Sequence, residues 1–155
     1  MSLDLKSLNL FAEFNDQDIA DLKKRVHSKI LASGEYAFQE NEPGESLLII
    51  ALGTLRLTKK SKDDETRELT LLGSGSYLGE MTFLDQSPRS ATAQAVERSE
   101  LMVLTFSDLR QFLDTHPTAA STFYKRLAIG IARRLRYMND DFASLKSFLQ
   151  HRDIA

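Results

Sequence analysis

The chain of 155 residues sets 20 lysines and arginines against 22 aspartates and glutamates, a formal net charge of -2, with 42% hydrophobic residues and no cysteine. That length suits one core burying about 70% of the unfolded surface, and the lack of cysteine excludes disulfides, thiolate metal sites and iron–sulfur clusters. The charge balance gives no overall attraction to polyanions; no signal peptide opens the sequence and no apolar run nears the ~20 residues of a membrane span, so a cytoplasmic globular protein is expected.

Leu5, Leu8 and Phe11 precede Asn15-Asp16, a helix cap, after which Ile19, Leu22 and Val26 recur at helical spacing. The start is therefore a small helical lead-in. From Ser28 to Phe106 the apolar and β-branched runs shorten, and six of the seven glycines fall between Gly34 and Gly79. Strands are predicted over Ser28–Leu31, Tyr36–Gln39, Leu47–Ala51, Thr54–Lys59, Arg67–Leu72, Ala91–Ala95 and Leu101–Phe106, with turns at Ser33-Gly34, Glu42-Pro43-Gly44 and Leu52-Gly53. Such spacing belongs to a sandwich or barrel. The mixed-charge run from Lys59 to Glu65 reads as a solvated hairpin tip.

Ser107 is placed to cap a short helix carrying Leu109, Phe112 and Leu113, which His116-Pro117 ends while starting another. Along the last helix, Tyr124, Ala128, Ile131, Leu135, Met138, Phe142, Leu145 and Leu149 alternate by four and three, as in a coiled-coil seam. The seam is roughly 38 Å long. Packing of this stripe on the β core is one reading. A parallel homodimer is favoured, because the heptad does not drift and the helix outruns a small β domain; Arg133, Arg134 and Arg136 are then solvated flanks beside Asp140 and Asp141. Gly130, costly inside a helix, serves either close packing or a hinge.

Chemistry concentrates between Gly79 and Ala91. Gly79 can adopt positive φ, so the amides of Glu80, Met81 and Thr82 can converge on an anion. Arg89 can grip two phosphate oxygens with its fork, and Ser90 adds a hydroxyl. Glu80, an acceptor that would repel phosphate, suits a sugar 2′-OH. Phosphate and ribose together indicate a nucleotide. His27, His116 and His151 lack metal-site spacing, and no nucleophile–base–orienter set is present, so neither a metal nor an enzyme is expected.

Leu72-Gly73, Leu78-Gly79-Glu80, Phe83-Leu84 and Pro88-Arg89-Ser90-Ala91 resemble the phosphate-binding cassette of cyclic nucleotide-binding domains, the sensor family of the catabolite activator protein and the protein kinase A regulatory subunit. The resemblance extends from Leu10-Phe11 through the Glu42-Pro43-Gly44 and Gly53 turns to the helix starting at Pro117. It implies a mostly β fold, a jelly-roll-like β-roll (double-stranded β-helix) with an N-terminal helical element and a long C-terminal helix. We place the β-roll with its lead-in and short helix in 1–116 and the seam helix in 117–155 of the same domain.

The resemblance further implies that Glu80 takes the ribose 2′-OH, that Arg89 takes the cyclic phosphate, and that the backbone of Gly79, Met81 and Thr82 completes a cradle with Ser90 and Ala91 beside it. Leu78 stands where an aromatic is frequent. Aligning Ala132-Arg133-Arg134-Leu135 with the activator's helix puts Met138 and Asn139 where adenine-binding hydroxyls lie, so Asn139 is a candidate base contact. The expected ligand is cAMP, with cGMP open. Only Gln150 to Ala155 follow the seam, so no DNA-reading element, nucleic-acid partner or membrane contact is expected. The function implied is a cyclic nucleotide sensor acting on a protein effector; the alternative is a dimeric interaction module with an empty pocket.

Overall fold

The computed structural model describes residues 3–152. Met1 and Ser2 of the lead-in and the last three residues of the predicted 117–155 helix lie outside this range.

Two short 3-10 turns, Leu5–Ser7 and Asn9–Phe11, lead into α1 (Asp16–Lys23), which starts where predicted: Asn15 accepts from the Asp18 amide at 2.8 Å. Eight strands follow: β1 (His27–Leu31), β2 (Tyr36–Phe38), β3 (Ser46–Leu52), β4 (Leu55–Lys60), β5 (Thr66–Leu72), β6 (Tyr77–Leu78), β7 (Thr92–Ala95) and β8 (Ser99–Thr105). They form two antiparallel four-stranded sheets, ordered β1-β8-β3-β6 and β2-β7-β4-β5. Helix α2 (Glu80–Asp85) interrupts the strands between β6 and β7, and α3 (Phe106–Thr115) and α4 (Pro117–Arg152) close the chain.

Strand β3 explains the layering. Leu47, Leu48, Ile49 and Ile50 are all buried, because the strand has a partner layer on each face and so reads as a continuous apolar run. Leu48 and Ile50 join Leu31, Leu55, Leu78, Ala93, Ala95 and Leu101 in one core, which draws residues from both sheets. Leu47 and Ile49 turn the other way, to a second core with Phe11, Phe14, Phe106, Phe112 and Phe123 from the helical elements. The β-roll and its helices are thus one packed body.

Two local expectations are corrected. β6 was not predicted, because two residues between a Ser-Gly turn and Gly79 show no periodicity; its pairing of Tyr77 with Ile49 and Leu78 with Leu48 makes it a strand. The cap of α3 is Thr105, whose hydroxyl accepts from the Asp108 amide at 3.1 Å, and not Ser107, which lies inside the helix. The amide of Phe106 bonds Glu45 carbonyl at 2.8 Å, which starts the helix two residues earlier than side-chain chemistry alone suggests. The break at His116-Pro117 stands as expected.

Candidate functional site

Gly79 joins β6 to α2 with φ +98°, a conformation that L side chains avoid, and Glu80 opens the helix behind it. The first-turn amides of α2 have no carbonyl within the helix to bond. Because α2 is only six residues long, the chain returns quickly through Gln86 (φ +56°) to Pro88-Arg89. There the Arg89 amide bonds Glu42 carbonyl at 2.8 Å and the Asn41 amide bonds Arg89 carbonyl at 2.9 Å. The turn at Glu42-Pro43-Gly44 is therefore the clamp that holds the arginine backbone.

The Arg89 side chain is buried, 5% exposed, without a carboxylate bonded to it among the described residues. Its Nη2 donates to Ser46 carbonyl at 2.8 Å, whereas Nε and Nη1 are buried with no hydrogen-bond partner. The guanidinium lies 4.4 Å from the ring centroid of Phe38 and 5.8 Å from that of Phe106. Burial pushes its pKa down, opposed by the charges of Glu42 and Glu80, and the side chain remains a cation. Gly44 and Gly79 make room for it: a Cβ on Gly44 would stand 2.9 Å from the guanidinium carbon, and one on Gly79 would meet its Nη1. Buried N–H donors are costly without acceptors, so Nε and Nη1 of Arg89 suit an oxygen ligand.

Glu80 is equally buried, at 4% exposure, and its charge is matched by Arg134 of α4, whose Nη1 donates to Glu80 Oε1. Arg133, Arg134 and Arg136 are all exposed flanks, as expected, but Arg134 also pairs with Glu80, which the sequence reading did not anticipate. The burial of Glu80, which only the fold shows, is what calls for a counter-charge there. Gly79, Glu80, Met81, Thr82, Arg89, Ser90 and Ala91 all line one cavity of about 60 Å³, with Phe38, Leu57, Leu78 and Arg134 completing its wall. Leu78 belongs to the cassette motif read in the sequence, whereas Phe38, Leu57 and Arg134 were not singled out there as site residues. Lys59, placed by sequence in a solvated tip, bonds Ser90 carbonyl at 2.8 Å and steadies the end of the cassette.

Asn139 is not brought to this cavity; it is exposed. Five residues beyond Arg134, it is rotated about 140° around the helix axis, away from the cassette that Arg134 touches. A groove of about 630 Å³ adjoins the cassette at Gly44, Thr82 and Pro88, but the unpartnered nitrogens of Arg89 are not on its wall. Among the described residues no three His, Asp or Glu side chains converge to hold a metal ion, and no helix is long and apolar enough to cross a membrane.

The sequence model of the cyclic nucleotide-binding domain matches residues 28–116, more than half of the chain. The Cyclic AMP receptor protein of Thermus thermophilus is 36% identical over 132 residues, which are 85% of this chain and 59% of that protein. The crystal structure of the Thermus thermophilus catabolite activator protein superposes with a TM-score of 0.77 at 30% identity, covering 89% of this chain and 63% of that one. The regulatory domain of Toxoplasma gondii PKA, crystallised with cAMP, superposes with a TM-score of 0.66 at 26% identity, over 70% of this chain and 41% of that one. The chain thus spans less than two thirds of these relatives. With the β-roll, the cassette and the family match in agreement, this chain belongs to the cyclic nucleotide-binding domain family.

Proposed function

We propose that the chain is a cyclic nucleotide sensor, cAMP being favoured over cGMP, that signals by moving α4. The unpartnered Nε and Nη1 of buried Arg89 carry this reading, because buried cationic N–H donors without acceptors call for an anionic oxygen ligand. The cyclic phosphate takes the guanidinium of Arg89 and the amides of Met81 and Thr82 after Gly79, with Ser90 and Ala91 alongside. Glu80 accepts from the ribose 2′-OH. The names of the Thermus and Toxoplasma relatives support cAMP as the nucleotide. Recognition, not catalysis, is the activity.

The cavity of about 60 Å³ is far below the roughly 300 Å³ at which ligand pockets begin. Nucleotide binding therefore requires the Arg134 segment of α4 to move. Two arrangements follow, one with Arg134 on Glu80 and one with nucleotide between cassette and helix, and the ligand shifts their populations.

A second copy completes the device. With Ala128, Leu135, Phe142 and Leu149 at a and Ile131, Met138 and Leu145 at d, parallel pairing sets Asp141 (g) across from Lys146 (e) of the other helix. The same register sets Arg134 (g) across from Asn139 (e). Asn139, turned from its own cassette, then approaches the other copy's nucleotide and offers its amide to the base. Residues 1–116 sense, residues 117–155 pair, and a protein effector reads the pair.

Calorimetry with cAMP and cGMP tests this. Wild type binds, cAMP more tightly, and Arg89→Ala loses roughly ten- to a hundredfold, equivalent to about 1.5–3 kcal/mol for a charge-assisted contact. The small cavity favours the second reading, an interaction module with an empty pocket. No binding by wild type at millimolar nucleotide selects that reading.

A further inference from the structure

Gly130 stands in the middle of α4, where a glycine costs about 1 kcal/mol relative to alanine. No turn or positive φ requires it there. A Cβ at this position would meet a single heavy atom within 4 Å, the hydroxyl oxygen of Tyr77, at 2.8 Å. Tyr77 has little freedom to yield. Its backbone is paired with Ile49 in β6, and its ring packs, partly buried, against the core that contains Ile49, Leu104 and Phe123.

The contact adjoins the ion pair that closes the cavity. Tyr77 precedes Glu80 by three residues and Gly130 precedes Arg134 by four, so the pairs Tyr77–Gly130 and Glu80–Arg134 are successive rungs between the cassette and one helix face. Burial and the charge of Glu80 raise the Tyr77 pKa, with Arg134 acting in the opposite direction, so the hydroxyl at the rung is neutral. An atom inserted at the first rung tilts the second apart.

We propose that Gly130 is a seat for the Tyr77 hydroxyl, and that this fit sets the closeness of α4 to the cassette that keeps Arg134 on Glu80 and the cavity shut. Gly130 and Tyr77 are positioning residues: they act on nucleotide affinity through Arg134. The effect on affinity rests on the cassette being a cyclic nucleotide site, while the effect on the helix does not.

The test is a size-exchange cycle with wild type, Gly130→Ala, Tyr77→Phe and the double variant. Phenylalanine removes the one atom that the alanine methyl would strike. Two quantities are measured, amide hydrogen exchange over residues 127–136 and cAMP affinity. Gly130→Ala is expected to exchange faster in this segment than the double variant, although both carry the same alanine and hence the same gain in helix propensity. It is also expected to bind cAMP about three- to tenfold more tightly than the double variant, because the closed arrangement is depopulated. The double variant returns toward wild type in both.

Equal exchange in Gly130→Ala and the double variant overturns the proposal and assigns Gly130 to flexibility. If Gly130→Ala does not fold, a folded double variant supports the seat, and failure of both overturns it. If wild type binds no cAMP, the nucleotide reading fails, and the exchange comparison alone still decides whether the seat exists.

Discussion

The two halves of α4 share one heptad register but not one environment. From Pro117 to Ile131 the helix buries Ala119, Phe123 and Leu127, while from 132 to 152 every residue is exposed, including Leu135, Met138, Phe142, Leu145 and Leu149. The difference is rotational as well as axial. Phe123, Leu127, Gly130 and Arg134 occupy c and g positions and face the chain's own domain, whereas the a/d stripe lies about a third of a turn away. One helix thus carries one packed face and one exposed apolar face, and Arg134 is where the first runs out. The apolar stripe persists for about four further turns with nothing among the described residues to cover it, and exposed stripes of this kind mark partner surfaces.

Removing one phenylalanine from each half separates the two faces. Phe123→Ala leaves a cavity among Phe11, Phe83 and Tyr124 and is expected to lower unfolding free energy by about 3–5 kcal/mol. Phe142→Ala, at 66% exposure, is expected to leave the stability of a dilute monomer within about 0.5 kcal/mol of wild type. If the distal stripe pairs two copies, wild type is expected to sediment as a dimer at high concentration and Phe142→Ala to associate more weakly. Denaturant titration gives the first pair of values and sedimentation the second; equal destabilisation by both substitutions at high dilution would show that the distal half packs on its own domain.

The boundary itself is open to a smaller perturbation. Arg134→Ala strips Glu80 of its counter-charge while opening the cavity to water, so the cost is placed at about 1–2 kcal/mol, toward the low end for an orphaned buried group. Adding Glu80→Gln removes the charge and is expected to recover most of that loss. Additive costs in a double-mutant cycle would show that the two side chains do not act as a pair.

Legibility in the sequence followed the range of the interactions. The elements from Gly79 to Ala91 lie within thirteen residues, and all seven cassette candidates converge on one cavity. Seven strands were readable because their apolar runs are bounded by turns. Those of β3 are continuous, a mark of burial on both faces. β6 escaped because pairing with β3, and not its own two residues, makes it a strand. Arg134 escaped for a related reason: it is 54 residues from Glu80, and its heptad position looks like a solvated flank until the domain beside it is in place. Asn139 aligned by motif length alone, and helix rotation, which that alignment does not encode, turns it from its own site.

The smallest effect concerns how the proximal half is tied to the lead-in. Glu13 bonds Arg126 of α4 at 2.8 Å and lies 3.6 Å from Lys125, and Asp21 of α1 lies 3.2 Å from His116 at the start of the same helix. Both carboxylates titrate below their ordinary range, Glu13 chiefly through its hydrogen bond from Arg126 and Asp21 chiefly through that from His116. A carboxylate with a depressed folded-state pKa lends stability that is fully present above its unfolded value and fades as pH falls through the folded one. The loss therefore begins only below about pH 4–4.5. These pairs are open to water and screened by salt, so the effect is small. Between pH 6 and 3, the thermal midpoint of wild type is expected to converge on that of Glu13→Gln, with the gap between them narrowing at higher ionic strength. A constant gap would mean that Arg126 holds Asn9, to which it also donates at 2.6 Å, and gains nothing from Glu13.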